Sequence, residues 1–378
     1  MKTEQRIYSK TSGWQPIVAS VDSEKAQLVF LFGDRDLLKE ASLIDEIRSF
    51  YPNSQLVGCS TAGEICGTEV LVNSIVCTAV EFKDVQIVVR SEEIKNSANS
   101  ADLGQKLASK LDQNGLKHAF VFSEALGVNG SQLTQGLNDT FGSKVSVTGG
   151  LAGDYAMFKE TVVVCNAPAR DGIVVIVGLY SDKLQVGYGS RGGWKSFGVD
   201  RLVTKSIDNV LYELDGKPAL SIYKSYLGKH AEQLPSSAFL FPISFKKGDE
   251  SIVRTILSIN EADESMVFAG DIPQGEYVRL MNASNDKLFE GAMTAAEESV
   301  DSLNGNNAQL ALLISCVGRK ILLKNRTDEE VEAVKDVVGE ATTLMGFYSY
   351  GEICPTNSLA SNCELHNQTM TITVLTEE

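Results

Sequence analysis

The chain has 378 residues, 43% of them hydrophobic and 22% charged, which is more than one ordinary core holds, so two domains are expected. Its 34 Lys and Arg stand against 49 Asp and Glu, and the net charge of −15 argues against nucleic acid or an anionic membrane surface as a partner. No apolar run reaches the roughly 20 residues of a membrane helix, the start MKTEQRIYSKTSGWQ lacks a signal-peptide core, and seven cysteines without a Cys-x-x-Cys pair read as reduced thiols, so a cytoplasmic protein without membrane insertion is expected.

Along the chain, AQLVFLFGD from Ala26 reads as a buried strand and DLLKEASLIDEIRSFYP as a helix stopped by Pro52. The strand QLVG then leads into Gly58–Cys66, GCSTAGEIC. A second unit follows: the strand HAFVFSEAL from His118, the helix SQLTQGLNDTFG, then VSVTGGLAGD, with Gly153-Asp154 in place of Gly63-Glu64. GIVVIVGLY and KLQVGYGS read as a hairpin across Ser-Asp. Glycines cluster in RGGWKSFGVD, which sets the boundary between modules spanning 1–195 and 196–378. Beyond it lie the helix ALSIYKSYLGKHAEQL and antiparallel strands within Ser251–Met281.

A third unit opens with AQLALLISCVG from Ala308. It continues through TDEEVEAVKDVVGEA, where Thr327 and Glu330 are spaced as a capping box, to TTLMG and GFYSYGEIC, Gly346–Cys354. The two end turns agree at five of nine positions, and both preceding strands open with Ala-Gln-Leu, so the units read as copies. CELHNQTMTITVLTEE closes the chain as a strand. Repeated β-α-β units with antiparallel hairpins predict an α/β (α+β) fold of mixed sheets.

The glycines of each turn suit positive φ or close backbone approach. The acid that follows, Glu64, Asp154 or Glu352, opposes a phosphate and suits an amine, a hydroxyl or a backbone cap. Ligands of α/β sheets bind near strand ends, so the turns are expected to frame a receptor cavity, with Trp194, Phe347, Tyr348 and Tyr350 available to line it. The Gly187-x-Gly189-x-x-Gly192 run follows a hairpin and opens no helix, which excludes a dinucleotide site. There are three histidines, His118, His230 and His366. In a regular strand Glu364 and His366 share a face, and that pair would fix the imidazole tautomer. Cys59 and Cys354 are the thiols considered for a hydrolase or transferase, and no base stands near them in sequence.

Taken together, GCSTAGEI, GGLAGD, the GGWKSFG…LYELDGKPAL stretch, GFYSYGEI and CELHNQTMTI resemble the FIST family from about Ala26 to Thr373. The resemblance implies an N-terminal and a C-terminal sensor module for a small ligand, not an enzyme, signalling to a histidine kinase or cyclase-type partner. This chain shows the two sensor modules only, as the stand-alone members do, and a homodimer is left open. A subgroup of such members senses nitric oxide through haem and controls a partner histidine kinase, which is the function the resemblance leads one to expect here, with His366 and then His230 as the axial ligands to consider. The other ligand class left open is a small metabolite such as an amino acid. The ligand-contacting residues expected are His366, Glu352, Glu64, Asp154, Trp194, Tyr348 and Tyr350.

Overall fold

A computed structural model of the chain describes residues 1–18, 20–94, 99–248, 250–356 and 362–377. The fold is mixed α/β. Three β-α-β units, as the repeats imply, build three six-stranded mixed sheets. In the first, the strands Leu28–Gly33 and Gln55–Ser60 run parallel across the helix Ala41–Phe50, and Ser74–Glu81 pairs antiparallel on the free side. Leu116–Ser123, Gly130–Phe141, Ser146–Leu151 and Ile173–Tyr180 repeat that order. Leu310–Cys316, Thr327–Val338, Thr343–Ser349 and Met370–Glu377 repeat it again.

The central strand of each unit is apolar on both faces because both are covered. Leu28, Phe30 and Phe32, Phe120 and Phe122, and Leu310, Leu312 and Ile314 point inward and share one core. The alternate residues face outward: Val29 and Leu31 meet Leu43, Ile44 and Ile47 of the first helix, and Val121 and Leu313 lie in the core that the other helices close. The molecule is thus a three-sided prism of sheets around a phenylalanine-rich axis, with helices outside.

Each unit lends its outgoing strand to a neighbour. Glu64–Cys66 pairs with Thr343–Ser349 of the third sheet, Gly351–Pro355 with Ser146–Leu151 of the second, and Val163–Cys165 with Gln55–Ser60 of the first. The exchange runs once around the prism and closes it into a ring.

The copied glycine has a physical cause. Gly58, Gly149 and Gly346 stand opposite Leu31, Val121 and Leu313 in their parallel pairs. Their φ values are +154°, +151° and +158°, and a Cβ at each would lie 1.8, 1.9 and 1.8 Å from the opposing carbonyl oxygen. Gly187 and Gly189 serve close packing instead: their Cβ atoms would strike carbonyls of Ser299 and Ala295 on the helix Asn285–Asp301.

At Lys195 the chain leaves the ring. Through Asn282 it builds a separate eight-stranded sheet with the helix Ala219–Leu227. This insert has its own core, including Val203, Leu211, Tyr223, Phe268 and Leu280. The stretch 196–378 is therefore divided in space: 196–282 form the insert, and 283–378 complete the ring. Two local expectations are corrected. The helix expected over 36–52 is two helices, Arg35–Leu38 and Ala41–Phe50, the first capped by Asp34 accepting from the amides of Asp36 and Leu37. Thr327 lies inside its helix and caps nothing, because Glu330 is drawn away to Arg319.

Candidate functional site

The three glycine corners meet at the ring's centre. Ala62 N–H donates to the Tyr348 carbonyl at 2.8 Å, Tyr348 N–H to Gly63 at 2.8 Å, Gly153 N–H to Ser60 at 2.8 Å and Tyr350 N–H to Leu151 at 3.2 Å. They pack on each other, and of their residues Leu151 and Tyr350 also line a chamber beside them. Glu64, Tyr348 and Glu352 are wholly buried. Glu64 accepts from the hydroxyls of Thr61 (2.5 Å) and Ser74 (2.7 Å). Glu352 accepts from Ser349 Oγ (2.7 Å) and Thr369 Oγ1 (2.9 Å). In both copies the acid clasps a hydroxyl of its own turn to one at the head of the returning strand. Burial outweighs these hydrogen bonds and pushes the two carboxyls up to about 7 and about 8. Asp154 accepts the amides of Phe158, Lys159 and Glu160 and the Tyr350 hydroxyl. Tyr348 donates to Glu330 at 2.9 Å.

The large cavity lies between ring and insert. It is a cleft of about 920 Å³, beside a chamber of about 490 Å³ that Tyr350 and Phe158 line from the ring side. Asp208 borders both. One wall is the start of the helix Gly130–Phe141, capped by Asn129; the other carries Arg254 and Asp271. Arg254 is 2% exposed. Its Nε donates to the Asp271 carbonyl at 3.2 Å, Nη1 to those of Val253 and Leu365 at 3.2 and 2.8 Å, and Nη2 only reaches Ser131 Oγ at 3.4 Å. Burial lowers its pKa to about 10, so it stays charged at neutral pH. Among the described residues no carboxylate lies within 4.0 Å of this guanidinium. Asp208, exposed on the lip, and the half-buried Asp271 supply the opposite sign. Asp271 holds Asn129 Nδ2 at 2.7 Å, and burial, then Asp208, raise its pKa. A buried cation with no direct ion pair, in a cleft whose carboxylates include Glu364, Asp271 and Asp208, can seat a small molecule bearing both charges.

The motif ELHNQT fastens the insert to the ring. Glu364 pairs with Lys247, the Leu365 carbonyl holds Arg254, and Asn367 Oδ1 accepts from Thr255 N–H at 3.5 Å. Gln368, left-handed at φ +61°, donates to the Phe239 carbonyl at 3.3 Å and accepts from Trp194 Nε1 at 2.8 Å. His366 Nε2 lies 2.9 Å from the Cys354 carbonyl, so the carbonyl and not Glu364 fixes the tautomer. Burial lowers its pKa to about 4. The groups that sequence reasoning missed, Arg254, Asp208 and Asp271 around the cleft and the Arg319–Glu330 ion pair in the core, stand in no recognisable motif.

Haem needs an imidazole lone pair facing a slot for a flat macrocycle, and the residues present do not fit one. His366 spends Nε2 on the carbonyl, and it and Trp194 line a cavity of only about 190 Å³, too small for the haem macrocycle. His118 lies between Ser146 and Thr148 hydroxyls at 2.8 and 3.0 Å. His230 is exposed against Phe241. None of the three borders the cleft. Cys59 and Cys354 are wholly buried, and burial holds both thiols protonated. Among the described residues no helix is long and apolar enough to cross a membrane.

Residues 27–217 match the FIST N domain and residues 219–355 the FIST C domain. An uncharacterized protein of Methanocaldococcus jannaschii is 24% identical over 366 residues, covering 87% of this chain; the chain spans 66% of that relative's length. A cyanuric acid hydrolase from A. caulinodans is similar along 100% of this chain and 99% of its own, at 10% identity and a TM-score of 0.39.

Proposed function

The chain belongs to the FIST family, whose domains in general sense small ligands in signal transduction, and on that premise we propose that it senses an α-amino acid bound between ring and insert. The observation that carries this reading is the buried Arg254 guanidinium without a carboxylate partner, facing a cleft whose other charges include Asp208 and Asp271. The ligand carboxylate takes the free edge of Arg254 beside Ser131, and its ammonium lies towards the two aspartates. A site between two bodies also converts occupancy into a change of their relative pose, the usual basis of closure. That change is read by a separate histidine kinase or cyclase-type protein, the partner class the family resemblance supplies.

The test is a thermal-shift panel of amino acids, with the matching amines and carboxylic acids as controls. A ligand confined to the native state adds about 2.7 kcal/mol at a hundred times Kd. At least one amino acid should raise the melting temperature by a few degrees, while its decarboxylated and deaminated analogues do not. Arg254→Gln should abolish the response. Asp208→Asn, at an exposed position, should weaken it about tenfold, the loss of one charge-assisted contact, without moving the apo melting temperature. A flat panel, or equal responses in both variants, would refute the reading.

A further inference from the structure

A second, smaller cavity of about 190 Å³ lies where the chain crosses from ring to insert and back. Its walls hold an unusual set of polar atoms. Ser190 is 4% exposed, and among the described residues its Oγ has no hydrogen-bond partner. A buried hydroxyl in that state is costly unless something else in the cavity pairs with it. His366 borders the same space. Its Nε2 faces a carbonyl, which only accepts, so that nitrogen carries the hydrogen; the ring is neutral at ordinary pH. Nδ1 is therefore a bare acceptor. Of the other polar side chains on the wall, Thr369 bonds Glu352 through Oγ1 and Trp194 the Gln368 carbonyl through Nε1, while Ser251 and Thr356 add hydroxyls. The charged residues on the wall, Arg191 and Glu250, lie 3.6 Å apart as an ion pair. Ile252, Val253 and Met281 give the wall its apolar patch.

We propose that this cavity is a second ligand site, separate from the amino-acid cleft, for a short neutral amphiphile: an aliphatic alcohol or primary amide. At a water's share of about 30 Å³ per site, the volume admits about six non-hydrogen atoms. The head accepts from Ser190 Oγ–H and donates to His366 Nδ1, and the tail lies on Ile252, Val253 and Met281. A carboxylate or an ammonium of the same length is rejected, since it would shed its water without meeting a free opposite charge. The position gives such a ligand a regulatory reach. It touches Val253 and His366, the chain neighbours of Arg254 and of Leu365, whose carbonyl holds Arg254.

The test uses the full chain and four probes of similar length: butyramide, 1-butanol, butyrate and butylammonium. Saturation-transfer NMR reads binding, and the histidine ring nitrogen-15 signals report where. Butyramide, 1-butanol or both should receive saturation and move the His366 Nδ1 signal while leaving His230 in place; the charged probes should do neither. Ser190→Ala should weaken the neutral probes about three- to tenfold, the worth of one hydrogen bond, with an unchanged melting temperature as evidence of folding. Asp208→Asn, which weakens the amino-acid cleft at its exposed lip and does not border this cavity, should leave the neutral probes unaffected, so the two sites fail or succeed separately. No transfer from either neutral probe, a static His366 signal, or full binding by Ser190→Ala would overturn the proposal.

Discussion

At the scale of single residues, the acid that follows each glycine is a clasp held where water cannot reach it. Glu352, with a carboxyl pushed up to about 8, binds its proton more readily folded than unfolded, where the ordinary value is 4.5. Its stabilising contribution is therefore complete below the unfolded value and is lost as pH rises through the folded one; Glu64, at about 7, adds to the same trend. Glu352→Gln keeps the shape and removes the titration. Urea unfolding of variant and wild type at about pH 5 and about pH 9 should show the difference turning towards the variant at the higher pH, by on the order of a few kcal/mol. An equal difference at both values would mean that water reaches the carboxyl. His366 bears the opposite shift, so its contribution is lost as pH falls from its ordinary 6.5 towards about 4; comparing the Glu352 pair pH by pH cancels that background.

At the scale of elements, the repeated corner exists because a parallel strand pair must bend where only a glycine clears the neighbouring carbonyl. Gly346→Ala places a methyl 1.8 Å from Leu313 O and should cost about 3 kcal/mol or more. Gly115→Ala, at φ +74° with open space around it, should cost only about 1 kcal/mol. Denaturation midpoints of the two variants check the contrast, and similar losses would refute the steric account. Much of this level was legible in the sequence: Ala-Gln-Leu at 26 and 308, the helix period and the turns locate the units. What was not legible is where each outgoing strand goes. Glu64–Cys66 and Gly351–Pro355 have the same pattern whichever sheet accepts them, because a strand buried on both faces carries no mark of its partner. Glu330 misled for a related reason: its spacing from Thr327 satisfies a local rule, while a buried Arg319 eleven residues upstream offers the stronger bond. The cleft was least visible of all, since Ser131, Asp208, Arg254 and Asp271 come together only after ring and insert have folded.

At the scale of the whole molecule, the strand exchange and the insert predict different cooperativity. Each sheet of the ring is completed by a strand from another unit, so no unit can unfold without opening the other two. The insert has a core of its own and is tied on by the two chain crossings, by the bonds of Asp271 to Asn129 and Ser131 and by the ELHNQT turn. If the turn is the fastener, Asn367→Ala, which removes the bond to Thr255 N–H, should loosen the insert selectively. Hydrogen exchange should then speed up in the strands Glu250–Arg254 and Ile256–Asn260, while the ring strands Leu28–Gly33 and Leu310–Cys316 keep their protection, because local opening follows cooperative units. An amino acid filling the cleft contacts both bodies and should restore the slow exchange in the insert, in wild type and variant alike. Uniform loosening of ring and insert would mean that the molecule is one cooperative body. Cleft occupancy could then not be passed on as a change in the insert's pose, and a signalling partner would have to read the ligand directly.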